Sequence, residues 1–159
     1  MGVRLRAMGA GALGAFLERS SAEYVRERIE AGDSPEYAAE RAAQSNAEYF
    51  PDGKPAEGQL IFDVVDDSQG EGGEVVGTIW IGPFSLEHPT AWWVFDVEIV
   101  ADKRGQGYGR LAMQLAEVAA REHGAEKLGL NVFGHNSVAQ NLYRSLGYET
   151  TAINMAKSL

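Results

Sequence analysis

Three glycines occupy alternate positions in Arg104-Gly105-Gln106-Gly107-Tyr108-Gly109, between an apolar stretch and an amphipathic one. Glycine reaches positive φ without penalty and lets a ligand approach the backbone. The first amides of a helix have no internal acceptor, and the helix dipole makes that end weakly positive. A strand, a glycine-rich turn and a helix in that order therefore form a cradle for a diphosphate. Two carboxylates lie just upstream. Asp96 and Glu98 share one face of an otherwise apolar segment by period-two alternation. An acid in such a setting has to be partnered or used.

The register of the glycines narrows the ligand. A Walker A loop requires Gly-Lys-Ser/Thr after four variable residues, which is absent. A dinucleotide fingerprint requires its third glycine one residue later and sits after a first strand, whereas this loop lies two-thirds along the chain. Taken alone, the loop is equally readable as a tight turn. No cysteine is present, which removes disulfides and thiolate chemistry. His88 and His123 have no metal-ligand spacing with neighbouring residues, so no metal site is expected. His135, in a Gly-His-Asn turn, ranks below the carboxylates as a reactive group.

The elements that position these residues follow from periodicity. Val3 to Arg6 alternates like a short edge strand. Leu13, Phe16, Leu17, Tyr24 and Ile29 recur at helical spacing until Gly32-Asp33. Ser34-Pro35-Glu36 starts a second helix, with Ser34 as cap and Pro35 in the first turn, and Pro51-Asp52-Gly53 ends it. Gln59 to Val65 and Val75 to Ile81 read as strands around an acidic, Gly-rich turn. Trp92 to Val100 is a strand in which Phe95 to Ile99 alternates. The helix after the glycines carries Leu111, Leu115 and Val118 on one face. Lys127 to Phe133 is a strand. Asn136 caps a helix over Ser137 to Leu146 that Gly147 terminates. Tyr148 to Thr151 and Ile153 to Lys157 close the chain as short strands.

The order β-α-α-β-β-β-α-β-α-β-β is an α/β (α+β) arrangement. It predicts a mixed, mostly antiparallel sheet of about seven strands flanked by about four helices, in one domain over 1–159. The 159 residues, 45% hydrophobic and 23% charged, suit one globular unit. A net charge of −9 disfavours nucleic-acid backbones and favours cationic partners. No apolar run is long enough to span a bilayer, and Gly9, Gly11 and Gly14 interrupt the N-terminal segment, so a cytoplasmic protein without a leader is expected.

Arg104-x-x-Gly107-x-Gly109, between a strand and a helix, resembles the acetyl-CoA motif of the GNAT superfamily. Asn136-x-x-Ala139-x-x-Leu142-Tyr143-x-x-Leu146-Gly147-Tyr148 resembles the family's C-terminal helix motif. The resemblance is close from Trp92 to Leu159. Upstream only the order of elements agrees. It implies a GNAT-type fold and an N-acetyltransferase that moves acetyl from acetyl-CoA to a primary amine, on a small molecule or a peptide, without a metal. The strands bearing Val97–Ile99 and Leu130–Phe133 would part to admit the pantetheine arm. The amides of Gly105, Gln106, Gly107, Tyr108, Gly109 and Arg110, with Arg104, would hold the diphosphate, and Asn136 the arm.

An amine nucleophile with a pKa of about 10.4 arrives protonated and needs a base. A departing thiolate with a pKa of about 8.5 benefits from an acid. The resemblance gives the acid role to Tyr143. It puts Asn131 where many relatives carry a glutamate, beside the cofactor slot, and asparagine is no base. Glu98 is then the nearest replacement, with Asp96 or a water chain as alternatives. The acceptor side would draw on Phe16, Tyr24, Tyr49, Trp80, Phe84, Trp92 and Trp93, residues that serve equally as core. A non-catalytic acyl-CoA-binding or regulatory module of the same fold is the competing function. A nucleotide-binding α/β protein is disfavoured by the glycine register. A homodimer is compatible with a sequence that shows no strong interface signal.

Overall fold

The computed structural model describes residues 2–159. Five strands, β1 (Val3–Ala7), β2 (Leu60–Asp66), β3 (Glu74–Pro83), β4 (Ala91–Ile99) and β5 (Lys127–Leu130), form one sheet in sequence order. The first four run antiparallel, and β5 lies parallel to β4. A parallel neighbour needs a crossover, which α3 (Tyr108–Glu122) supplies. The helices α1 (Ala10–Glu30) and α2 (Pro35–Tyr49) precede the β2–β3 hairpin, and α4 (Ser137–Ser145) follows β5.

Two apolar clusters occupy the two faces of the sheet. One packs α3, through Ala112, Met113, Ala116 and Ala120, on Val64, Val76, Ile79, Ile81, Trp92 and Val94. Alanines at these positions let the helix sit close to the strands, and Leu111 and Leu115 are not its deepest residues. The other joins Phe16 of α1 to Tyr49, Phe50, Ile61 and Trp80. Local signals fix the helix ends. The Ser34 hydroxyl accepts from the Tyr37 amide at 3.1 Å with Pro35 in the first turn, and Asn136 Oδ1 accepts from the Ala139 amide at 3.1 Å.

A bulge alters β4. Trp80 pairs with Asp96 but Ile81 pairs with Val94, leaving Phe95 as the extra residue. Phe95 packs in the α1–α2 cluster, whereas Val97 and Ile99 pack on the α3 side. The alternation expected from Phe95 to Ile99 thus holds only from Asp96 onward. The bulge turns Asp96 to the Trp80 side, facing α1.

Two sheet expectations need correction. β5 stops at Leu130, so Asn131 to Phe133 continue without strand pairing. The two closing strands do not form within the chain either. After Gly147 at φ 95° and Tyr148, whose amide donates to the Tyr143 carbonyl at 3.0 Å, the segment 149–159 runs without turn, bend or pairing. The sheet has five strands instead of about seven. Strand formation needs a partner as well as an alternating sequence.

Candidate active site

β4 and β5 pair only from Ala91 and Lys127 to Val94 and Leu130. Beyond that point the bulged strand continues to Ile99 while β5 ends, so Phe95 to Ile99 presents an open edge. A turn over Ala101–Lys103 and the glycine loop lead from this edge into α3. Gly105 has φ 76° and Gly107, which caps α3, has φ 89°. Both conformations disfavour any side chain. Gly109 serves differently, since a Cβ there would lie 3.4 Å from Leu142 of α4 and 3.9 Å from Ile99. It keeps the start of α3 close to both elements.

None of the amides from Gly105 to Arg110 has a hydrogen-bond acceptor among the described residues. The first to find one is Leu111, which donates to Gly107 at 3.2 Å. Six consecutive donors at a helix start, with open space beside Gly105 and Gly107, fit a diphosphate. The side chains of this run turn elsewhere. Arg104 Nε donates to the Ile99 carbonyl at 2.8 Å, and its guanidinium pairs with Glu98 at 3.4 Å. The Arg110 guanidinium donates to Ser145 Oγ at 2.6 Å, tying α3 to α4. Gln106 Nε2 donates to the Asp102 carbonyl at 3.3 Å. The Tyr108 ring is buried, and its hydroxyl donates to the Asp66 carboxylate at the end of β2. That bond, with the Ser68 amide, holds Asp66 down at about 2.

The two carboxylates of β4 differ sharply. Glu98 accepts from Arg19 Nε of α1 at 3.2 Å and from Arg104 on its other oxygen. Arg19 is itself fixed by Thr78 Oγ1 at 2.9 Å. Asp96 Oδ2 is buried with no hydrogen-bond partner. Burial pushes the Asp96 carboxyl up to about 7, helped by Glu98 and opposed by Arg19. Glu27 and Glu23 of α1 add smaller upward contributions. Glu27 is raised too, by burial first and then by Glu23.

Tyr143 comes from α4. It meets Tyr148 edge-on at 6.1 Å and packs against the α3-side core. Burial raises its phenol to about 12, and the next contributions come from Asp96 and Glu27. One field therefore links β4, α1 and α4 at the open end of the sheet. His135 Nε2 lies 3.3 Å from Glu30 at the end of α1, so the loop before α4 also reaches that helix.

The residues that the sequence alone did not single out are Arg19, Glu23 and Glu27. Their spacing of four places them on one face of α1. That charged stripe was visible, but only the fold shows that it faces β4.

A model of the acetyltransferase (GNAT) family matches residues 21–148, most of the chain. The chain belongs to the GNAT acetyltransferase family. An uncharacterized N-acetyltransferase of Bacillus subtilis, YdgE, is 31% identical over 146 residues, covering 91% of this chain and 90% of the relative. Another from the same organism, YycN, is 29% identical over 161 residues and matches over the full length of both. The crystal structure of YycN superposes with a TM-score of 0.86 at 29% identity, over 99% of this chain and 98% of that one. The chain is an acyltransferase with the mixed α/β fold of this family.

Gly109 at the start of α3 lies beside Ile99 and Leu142 of α4. Val97, Ile99 and Tyr143 pack against one apolar cluster on the α3 face of the sheet, whose strands β4 and β5 part after Val94 and Leu130. Asn136 is spent on capping α4, and Asn131 is exposed just past β5. The aromatic residues of the acceptor side are mostly core. Trp80 stacks on Phe95 at 4.5 Å and donates to Gln59 at 2.9 Å. Phe16 and Tyr49 belong to the same cluster, and Trp92 packs on the opposite face. The half-exposed pair is Phe84 and Trp93, 5.1 Å apart. Tyr24 lies on α1, its hydroxyl accepting from Arg28 at 3.0 Å. Among the described residues no acidic or histidine group could hold a metal ion, and no helix is long and apolar enough to cross a membrane.

Proposed function

We propose that this acetyltransferase moves acetyl from acetyl-CoA to a primary amine in the cytoplasm. The observation that carries the reading is the run of six unpaired amides from Gly105 to Arg110 at the mouth of the parted strands. Acetyl-CoA supplies an activated thioester whose carbonyl carbon accepts the amine.

The chain's own residues supply the rest. The amides of Gly105 to Arg110 bind the diphosphate, and the free edge of β4 around Val97 and Ile99 offers backbone groups to the amide-bearing arm. The Arg104 side chain braces the end of β4 instead of competing for phosphate. An amine reaches the site as an ammonium, drawn by the carboxylates of α1 and β4. Asp96 takes its proton. A carboxyl near 7 is poised for that transfer at neutral pH, whereas an ordinary aspartate is too weak a base. Glu98, held by two guanidinium groups, is the neighbouring charge that helps keep Asp96 high. The Tyr143 phenol, held protonated by its burial, donates to the departing sulfur. The ammonium gives one proton to Asp96 before attack and loses a second as the tetrahedral adduct collapses; Tyr143 gives its proton to the departing sulfur and is restored by that second proton, so ammonium and thioester become amide and thiol with one proton left on Asp96.

Among relatives, streptothricin acetyltransferase of Streptomyces lavendulae is 29% identical over 117 residues, covering 67% of this chain and 59% of its own. Its name places an antibiotic amine among the first acceptors to try. The test is thiol release from acetyl-CoA against a panel of small amines, antibiotic amines and peptide N-termini. Turnover with at least one amine is expected. Tight acetyl-CoA binding with no turnover on any amine would favour the non-catalytic module instead.

A further inference from the structure

One acid near the site takes no part in the proton transfers. Glu27 follows Glu23 on α1 by about 6 Å along the helix axis, and both residues are half-buried. Their carboxyls share a hydrogen bond, which is possible only with a proton between them. Two ionised acids at this spacing repel each other. Burial, and then Glu23, raise Glu27 above the usual carboxylate range.

The charges around this pair are otherwise matched. Arg19 and Arg104 hold Glu98, Arg26 holds Glu23, and His135 Nε2 lies 3.3 Å from Glu30. Among the described residues neither Glu27 nor Asp96 has a cation bonded to it. The β4 bulge turns Asp96 toward α1, and its buried Oδ2 meets no donor there. Glu27 and Glu23 both act on Asp96, and Asp96 and Glu27 both act on Tyr143. Coulombic influence falls with distance, so the glutamate pair stands near the two reacting groups.

We infer that the acceptor is a small molecule with two cationic nitrogens, one reacting at Asp96 and the other held as an ammonium by Glu23 and Glu27 in place of their shared proton. This rests on the acetyl-transfer reading above and names the class of amine that site takes. An ammonium has three donors, enough to meet both carboxylates. Bonds of this kind are charge-assisted and among the stronger ones a site can offer.

The test sets diamines against monoamines of the same chain length: diaminopropane against propylamine, diaminobutane against butylamine, diaminopentane against pentylamine. At one length or more, the diamine should have a KM lower by about 10–10²-fold, with kcat changed less. Glu27→Gln, which keeps size and helix propensity, should remove most of that difference. Equal KM values at every length, or a difference that survives Glu27→Gln, overturns the proposal. Aminobutanol, with a hydroxyl in place of the second ammonium, should behave as butylamine does; a KM equal to that of diaminobutane also overturns it. The same pairs are titrated calorimetrically into the protein saturated with CoA, the thiol that carries no acetyl group. This arm separates the two readings. Diamine binding that depends on Glu27, without turnover of any amine, would sustain the second cation site and defeat acetyl transfer. Turnover with no preference for diamines would do the reverse.

Discussion

Two aspartates of the same sheet, Asp66 at the end of β2 and Asp96 within β4, are treated in opposite ways by their surroundings. Asp66, at the end of β2, receives the Tyr108 hydroxyl and the Ser68 amide, and is held down at about 2. Asp96, at the bulge of β4, leaves one oxygen without a partner and is pushed up to about 7. Asp66 is buried, as is Asp96 Oδ2; the difference lies in the donors each one meets. Donors aimed at Asp66 make it a fixed anion that pins the start of α3 to β2. Asp96 faces burial and other carboxylates, so its charge is uncomfortable and its proton is available at neutral pH.

The contrast can be tested residue by residue. The largest effect is expected for Asp96→Asn, which removes the proposed base while keeping size. Turnover should fall by about 10²–10⁴-fold with acetyl-CoA affinity unchanged, as measured by thiol release and calorimetric titration. Tyr143→Phe should lower kcat by about 10–10²-fold with little change in donor affinity. Equal kcat for the variant would remove Tyr143 from the mechanism.

Stability should respond with opposite signs at the two aspartates. The lowered Asp66 contributes stability that is present above pH 4 and lost as pH falls toward 2. Asp66→Asn should therefore lower the melting temperature at pH 7 and flatten its dependence below pH 4. The raised Asp96 acts in the other sense, because ionising it inside the fold costs stability as pH rises from about 4 to about 7. Asp96→Asn should match the parent at pH 4 and exceed it at pH 8, by roughly 1–3 kcal/mol in denaturant unfolding. Loss of stability at pH 8 would show that Asp96 is a structural partner like Asp66. The smallest effect belongs to Glu98→Gln. Removing the neighbouring charge should move the acid limb of the rate profile to lower pH, with kcat at the plateau changed by less than about 10-fold.

Much of this site was legible in the sequence, and the reasons are local. The Gly105–Gly109 register, the Ser34-Pro35 start and the Asn136 cap each encode a backbone conformation within a few residues, and each is found in the structure. The α1 helix starts at Ala10 in spite of Gly11 and Gly14, because packing of Phe16 on Trp80 outweighs weak propensity. Features set by partners across the fold were not legible. The Phe95 bulge appears only when β3 and β4 are paired, and it decides which way Asp96 faces. The stripe of Arg19, Glu23 and Glu27 gains meaning only once α1 lies over β4. The C-terminal segment alternates as a strand does, yet its own chain gives it no partner.

The central claim is that Asp96 takes the proton from the amine. The most direct measurement is the pH dependence of kcat/KM for acetyl transfer to a fixed amine, in the parent chain and in Asp96→Asn. The account predicts an acid limb with an apparent pKa near 7 in the parent and none in the variant. The same limb in both proteins would contradict it.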